Sequence, residues 1–183
     1  RFMPETFTSL PKGLIFNENY FIIFPGSSWM GRKWRNESFA KVGRKICEEY
    51  NYKMLVCGVQ TESNDAQSII KMSRTNNSIN LAGKTTLSQF CELVRNAKIL
   101  IGNETSAIHI AALMNTPSVC ILGGGHYGRF LPYSENTPGA KPVPVIKKME
   151  CYGCNWKCIY FHDDKSPVPC VSEIESNDVI QAV

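Results

Sequence analysis

The chain has 183 residues, of which 43% are hydrophobic and 20% charged, the balance of a soluble globular domain with a core of its own. Its net charge of +4 is too weak to indicate nucleic-acid binding, although it suits an anionic ligand or a membrane-surface partner. No apolar run approaches the roughly 20 residues of a membrane helix, and the first residues lack the apolar segment of an export signal. Because the chain opens on Arg1 rather than Met, we expect a fragment.

Apolar runs and helical patterns alternate along the chain. Residues 1–19 show no clean period and are interpreted as a lead-in or interdomain linker, followed by one domain over 20–183. The first predicted elements are a strand over 20–24, a helix capped by Asn36, a strand over 53–57 and a weaker helix over 62–72. A brief strand over 79–81 and a helix capped by Thr85 or Thr86 come next. A strand over 99–101, a helix around 108–112 and a strand over 119–122 complete the alternation. This alternation predicts an α/β fold with a doubly wound, parallel, Rossmann-like sheet. An edge strand over 143–146, a Cys-rich segment over 150–172 and a short helix over 177–183 are expected to follow.

Polar turns follow several predicted strands, and ligands of such sheets bind at the carboxyl ends of the strands. The first turn contains Gly26, Ser27 and Ser28, with Lys33 shortly after it. Glycine allows close backbone approach, and serine and lysine donate to phosphate oxygens. An ordinary strand–helix turn with solvated basic residues is an equal alternative.

An acid follows the second predicted strand. Glu62 could accept hydrogen bonds from both hydroxyls of a ribose. Taken alone, it is more typical of a carboxylate in the first turn of a helix.

The turn after the strand over 99–101 carries Glu104, Thr105 and Ser106, with His109 one helical turn further on. Glu104 could fix this loop by accepting from nearby amides or by pairing with Lys33. A lone histidine more often packs or caps than acts in chemistry. The combination of acid, hydroxyls and histidine after a strand nevertheless favours a site for an anionic small molecule. His126, which follows three glycines, is a weaker candidate.

Four blocks of the sequence also resemble, in order, the C-terminal domain of glycosyltransferase family 9, the ADP-heptose:lipopolysaccharide heptosyltransferases. The blocks are Pro25-Gly26-Ser27 with Lys33-Trp34, Gly58 with Glu62, the segment 81–87, and the segment 102–111. The resemblance spans roughly residues 20 to 183.

The resemblance implies that the chain is the donor-binding half of an inverting GT-B glycosyltransferase. Lys33 would lie on the donor phosphates, Glu62 on the ribose, and Gly83 to Thr85 beside the adenine. Glu104, Thr105, Ser106 and His109 would hold the diphosphate and sugar, with Lys33 and His109 stabilising the leaving group. The implied donor is ADP-heptose or a similar nucleotide sugar, and no cofactor is required.

The resemblance also implies that an N-terminal acceptor domain is absent here. That domain would supply the general base and most of the surface for a lipopolysaccharide core or lipid-linked acceptor, so these residues alone are expected to be inactive. The implied location is the cytoplasm, with peripheral contact at the inner membrane of a Gram-negative bacterium. The family usually has Asp-Thr-Gly where this chain has Glu104, Thr105 and Ser106, which keeps open a degenerate nucleotide-binding module. An epimerase-like domain is less favoured.

Eight cysteines fall into two groups. Those in apolar segments are expected to be small buried hydrophobic residues, namely Cys47, Cys57, Cys91 and Cys120. Those near the C-terminus include a Cys-x-x-Cys and could form a tetrahedral thiolate site for structural zinc, namely Cys151, Cys154, Cys158 and Cys170. The alternative is a set of reduced thiols in a loop that holds the terminal helix.

Overall fold

The computed structural model describes residues 17–160 and 163–183. Most of the predicted lead-in and residues 161–162 of the predicted Cys-rich segment lie outside that range. The strands are β1 (Tyr20–Phe24), β2 (Lys53–Val56), β3 (Ser78–Asn80), β4 (Leu100–Asn103), β5 (Ser118–Ile121) and β6 (Val143–Val145). The helices are α1 (Asn36–Tyr50), α2 (Ser63–Ser73), α3 (Leu87–Asn96), α4 (Ser106–Leu113), α5 (Pro169–Ser172) and α6 (Ser176–Gln181).

The six strands form one parallel sheet in the order β3-β2-β1-β4-β5-β6. This arrangement confirms the predicted α/β, Rossmann-like fold. The chain leaves β1 toward β2 on one side and returns to β4 on the other, so the strand order reverses between β1 and β4. The carboxyl ends of those two strands therefore border a crevice where ligands of such sheets bind.

Both faces of the sheet are buried, because side chains of a strand alternate between faces. In β1, Phe21 and Ile23 pack with α1, α2 and the C-terminal helices. Tyr20 and Ile22 pack on the opposite face with α3 and α4. Each of these four side chains is at most 5% exposed, which explains why β1 is an almost continuous apolar run.

The helices differ from the predictions at the start of α1 and in α5, whereas one of the two proposed caps of α3 is confirmed. Asn36 is the first residue of α1 rather than its cap, since the N-cap is Arg35 and the Asn36 amide donates to Asp65 instead. Of the two proposed caps of α3, Thr86 is the one that forms. The predictions missed α5, a single turn with proline at its first position. Within the described residues, no helix combines the length and apolar character needed to cross a bilayer.

Candidate active site

A cleft of about 630 Å³ opens at the carboxyl edge of the sheet, at the point where the strand order reverses. Turns after β1, β2 and β4 contribute its walls. The polar lining includes Ser27, Ser28, Arg32, Glu62, Thr105 and Ser106. Gly26 and Glu104 also border it, so the structure brings together seven of the predicted binding residues, with Arg32 as an addition.

Asn103 fixes the turn after β1 against the end of β4. This side chain is fully buried. Its oxygen accepts from the Trp34 amide at 3.0 Å, and its Nδ2 donates to the Pro25 carbonyl at 2.7 Å. Because a buried amide costs free energy unless its groups are hydrogen-bonded, these two bonds hold one conformation of the turn that carries Ser27 and Ser28.

The Glu62 carboxylate lies between the turns that follow β1 and β2. A Cβ on Gly26 would lie 2.1 Å from one of its oxygens, and a Cβ on Gly58 would lie 2.4 Å from the other. A side chain at either position would therefore displace the Glu62 carboxylate from this place. The carboxylate also accepts from the Val59 amide at 2.9 Å, so Glu62 caps its short helical turn while it lines the cleft.

Gly83 lies next to this turn on the β3 side. Its φ of +73° is in the left-handed region, and a Cβ there would lie 2.8 Å from Gln60 Cα. The Gly83 amide donates to the Gly58 carbonyl at 2.9 Å. The loop that contains Thr85 is thereby held close to Glu62, although neither Gly83 nor Thr85 lines the cleft itself.

Glu104 lies between Arg32 and His126. Its side chain is only 5% exposed. His126 Nδ1 is 2.9 Å from one carboxylate oxygen, and an Arg32 nitrogen is 3.9 Å from the same oxygen. The sequence predicted nearby amides or Lys33 as partners of Glu104, and it did not predict Arg32 or His126. Lys33, one of the two proposed alternatives, pairs with Asp65 instead.

The first turn of α4 borders the cleft through Thr105 and Ser106. Thr105 is the N-cap residue, but its side chain makes no capping bond. Its hydroxyl oxygen is buried and has no hydrogen-bond partner among the described residues. The first amides of a helix also lack intrahelical acceptors, so this turn offers donors to an anion in the cleft.

Two predicted catalytic residues lie outside the cleft lining. Lys33 Nζ is 2.5 Å from an Asp65 carboxylate oxygen on α2. Burial raises the pKa of Asp65, but hydrogen bonds from Lys33 and Asn36 and the charge of Lys33 outweigh it and lower that pKa. His109 is 2.5 Å from the Tyr133 hydroxyl and stacks on its ring.

A second, smaller pocket of about 300 Å³ adjoins the cleft at Arg32, and its lining consists of Trp29, Arg32, His126 and Trp156. We call it the aromatic pocket. The Arg32 guanidinium carbon is 5.8 Å from the Trp156 ring centroid, and the two indoles meet edge to face at 5.2 Å. His126, a weaker prediction from sequence, thus contacts both Glu104 and this pocket.

The three glycines before His126 pack against aromatic side chains of the Cys-rich segment. A Cβ on Gly123 or Gly125 would lie 2.7 or 2.4 Å from the Trp156 ring, and one on Gly124 would lie 2.6 Å from the Tyr152 ring. The glycine run is therefore covered by the Cys-rich segment. It lets Trp156 pack closely beside the site.

All eight cysteines are free thiols. Cys57 and Cys120 are buried as predicted, whereas Cys47 and Cys91 are half-buried. The predicted zinc site is not formed by the described residues, since they contain no group of three or more His, Cys, Asp or Glu placed to hold a metal ion. Cys170 is buried and accepts from the Gly124 amide at 3.3 Å, which ties α5 to the turn after β5.

Comparisons with known proteins agree with this fold. The family pattern described as Glycosyltransferase family 9 (heptosyltransferase) matches residues 2–148. Lipopolysaccharide heptosyltransferase 3 of Escherichia coli strain K12 is 27% identical over 122 residues, which cover 65% of this chain and 35% of that protein. The chain therefore spans about a third of the length of this curated relative.

Two solved structures share the fold. E. coli ADP-heptose lps heptosyltransferase II superposes with a TM-score of 0.69 at 18% identity, over 98% of this chain and 54% of that one. E. coli heptosyltransferase WaaC with ADP-2-deoxy-2-fluoro heptose superposes with a TM-score of 0.63 at 15% identity, over 94% and 44%. The described fold corresponds to the C-terminal half of such GT-B enzymes. Since the family pattern covers most of the chain, this protein belongs to glycosyltransferase family 9, the heptosyltransferases.

Proposed function

We propose that the chain binds a nucleotide-sugar donor, ADP-heptose, as the donor half of an inverting glycosyltransferase of lipopolysaccharide core synthesis. The observation that carries the proposal is the Thr105 hydroxyl, which is buried without a described partner in the cleft where the strand order reverses. A buried hydroxyl of this kind costs free energy until a ligand pairs with it. A diphosphate oxygen would supply the missing acceptor.

The donor is proposed to lie across the carboxyl edge of the sheet. Glu62 would accept the ribose hydroxyls and the loop from Gly83 to Thr85 would lie beside the adenine. The diphosphate would lie at the turn after β1 and the first turn of α4, where Ser27, Ser28, Arg32, Thr105 and Ser106 line the cleft. Arg32 is the basic side chain that already borders this space, whereas Lys33 would reach a phosphate only by leaving Asp65.

The reaction we propose is direct displacement at the anomeric carbon, with no divalent metal and no cofactor. Negative charge then develops on the departing nucleoside diphosphate, and Arg32 and the first amides of α4 would stabilise it. Lys33 and His109 would contribute only by leaving Asp65 and Tyr133. The acceptor, a lipopolysaccharide core or lipid-linked sugar, and the general base would be supplied by a further domain. Such an enzyme would work at the cytoplasmic face of the inner membrane of a Gram-negative bacterium.

Isothermal titration calorimetry with ADP, ADP-heptose and a UDP-sugar tests the donor site. We expect the ADP compounds to bind more tightly than the UDP-sugar. Thr105→Val, which removes the hydroxyl but keeps the shape, and Glu62→Gln should each weaken ADP binding about tenfold. Thr137→Val, in the loop before β6, is the matched control and should bind as the unaltered chain does.

If none of the three nucleotides binds to the folded chain, the donor-site proposal is wrong and a non-catalytic module is favoured. Unchanged ADP affinity in Thr105→Val would show that the hydroxyl does not contact the ligand.

A further inference from the structure

The aromatic pocket contains side chains to which the proposed binding of the ribose, the adenine and the diphosphate assigns no role, apart from Arg32. Trp29 and Trp156 form two of its walls, and His126 meets the Trp156 ring edge to face at 5.0 Å. The Arg32 guanidinium carbon lies over the Trp156 ring, 5.8 Å from its centroid. Two large apolar faces thus lie beside a histidine and a guanidinium at the edge of a polar cleft.

The position of this pocket follows from the strand order. Glu62 follows β2, Ser27 and Ser28 follow β1, Thr105 follows β4, and His126 follows β5. These strands are consecutive neighbours in the sheet, so the site residues lie in the same order along its carboxyl edge. Three strand spacings of about 4.8 Å each separate the two ends, roughly 14 Å. A ligand whose ribose meets Glu62 and whose phosphates meet Thr105 therefore points its remaining part toward His126 and the aromatic pocket.

The chemistry of the pocket favours a neutral ring with many hydroxyls over another phosphate. Glu104 is buried behind Arg32 and His126, and its charge would repel a second anion there. The C–H face of a sugar ring packs on indole, while its hydroxyls pair with nitrogen donors and carboxylates. With Nδ1 of His126 committed to Glu104, Nε2 is the ring nitrogen that such hydroxyls could contact.

We propose that the aromatic pocket holds the sugar ring of the nucleotide sugar, with Trp29 as its stacking wall and His126, positioned by Glu104, as its hydroxyl partner. This inference rests on the proposed donor site. It goes beyond that site by assigning Trp29, His126 and Trp156 to recognition of the transferred sugar. Glu104 would then act through His126 as well as at the cleft. Glutamate stands here where the family usually has aspartate, and its carboxylate reaches His126 in the turn after β5 at 2.9 Å.

The test compares ADP with ADP-2-deoxy-2-fluoro heptose, whose difference is the sugar. Trp29→Leu should weaken binding of the fluoro-heptose compound about tenfold and leave ADP affinity within about twofold. Trp29→Phe, which keeps an aromatic face, should retain most of the affinity. Tyr50→Leu removes an exposed aromatic ring from a groove at the opposite edge of the sheet and serves as the matched control.

Tryptophan fluorescence gives a second measurement, because two of the three tryptophans line the pocket and the third, Trp34, is buried. The fluoro-heptose compound should change the emission more than ADP does, and Trp29→Phe should reduce that difference. Circular dichroism verifies that each variant is folded.

Equal loss of both ligands in Trp29→Leu would place the base or phosphates in the pocket and overturn the inference. Unchanged affinity for both would overturn it as well. Absence of any ADP binding to the unaltered chain would instead contradict the donor site itself, so the two failures are distinguishable.

Discussion

Lys33 and its neighbour Arg32 have similar charges but different environments. Arg32 reaches the cleft, where it donates to Ser28 at 2.8 Å and lies near Glu104. Lys33 turns toward α2 and pairs with Asp65. A short helical turn over Met30–Arg32 ends between the two residues, so their side chains point in different directions. The ion pair with Asp65 therefore contributes to the packing of the turn after β1 on α2.

The lowered pKa of Asp65 predicts a pH-dependent contribution to stability. A carboxylate whose pKa is depressed on folding contributes stability above its unfolded pKa, about 3.9, and loses it as the pH falls through the folded value. Asp65→Asn should therefore lower the free energy of unfolding at pH 7 by about 0.5 kcal/mol, since the pair is partly exposed. Urea unfolding between pH 7 and pH 3 should show this difference shrinking below about pH 4.

Asp164→Asn, an exposed aspartate elsewhere in the chain, is the control and should change the free energy of unfolding by less than about 0.5 kcal/mol. A difference between Asp65→Asn and the unaltered chain that stayed constant over the whole pH range would contradict the assignment.

The sequence predicted much of the lining of the cleft, because the residue types after each strand suit a ligand. It did not predict the directions in which the side chains point. Gly26, Ser27, Glu62 and Thr105 were predictable because parallel strands bring their carboxyl ends to one edge. The pairing of Glu104 with His126 was not, since it joins turns 22 positions apart. Asn103 was missed because its two hydrogen bonds join it to Pro25 and Trp34, far away in the sequence. The signal in the sequence was an asparagine at the end of an apolar strand.

Helix α3 is fixed at its start by a reciprocal pair of hydrogen bonds. The Thr86 hydroxyl accepts from the Gln89 amide at 3.3 Å, and the Gln89 side chain accepts from the Thr86 amide at 2.9 Å. This capping box follows directly after Gly83 to Thr85. It therefore sets where the loop proposed to face the adenine ends.

Removing this cap should destabilise the chain measurably. Thr86→Ala should lower the free energy of unfolding by about 1 kcal/mol, because the first amides of α3 lose an acceptor. Thr86→Ser retains the hydroxyl and should cost far less. Urea unfolding monitored by circular dichroism measures both, and equal stability of the alanine and serine variants would show that the cap contributes nothing.

The elements that sequence predicted best are those with the clearest periodicity. Alternating apolar runs located β1, β2, β4 and β5 within one or two residues, because burial on both faces demands such runs. The terminal helix α6 was also predicted, whereas α5 was missed. A four-residue turn such as α5 contains too few residues for a helical period, and its place depends on Val168 bonding to Gly31 across the chain.

For the whole molecule, the strand order determines which turns can act together. Glu62, Ser28, Thr105 and His126 are far apart in sequence, yet they follow neighbouring strands in the sheet. One ligand can therefore contact all four turns. Its binding energy would then add to the stability of the entire fold rather than of a single loop.

Thermal unfolding measures that coupling. ADP-heptose at about 100 times its Kd should stabilise the folded chain by about 2.7 kcal/mol, which corresponds to a Tm increase of roughly 5–10 °C for a domain of this size. A UDP-sugar at the same concentration should raise Tm less. An equal rise with both compounds would show that the adenine is not recognised.

The edge strand β6 contains a proline that limits further strand pairing. Leu122 donates to the Val145 carbonyl at 3.0 Å, so Val145 directs its backbone groups toward β5. Neighbouring residues of a strand direct theirs to opposite sides, which leaves Pro144 facing outward. Proline has no N–H to donate, so an extra strand added at this border would lack one rung of its ladder. β6 thereby discourages uncontrolled association between molecules through their exposed sheet borders.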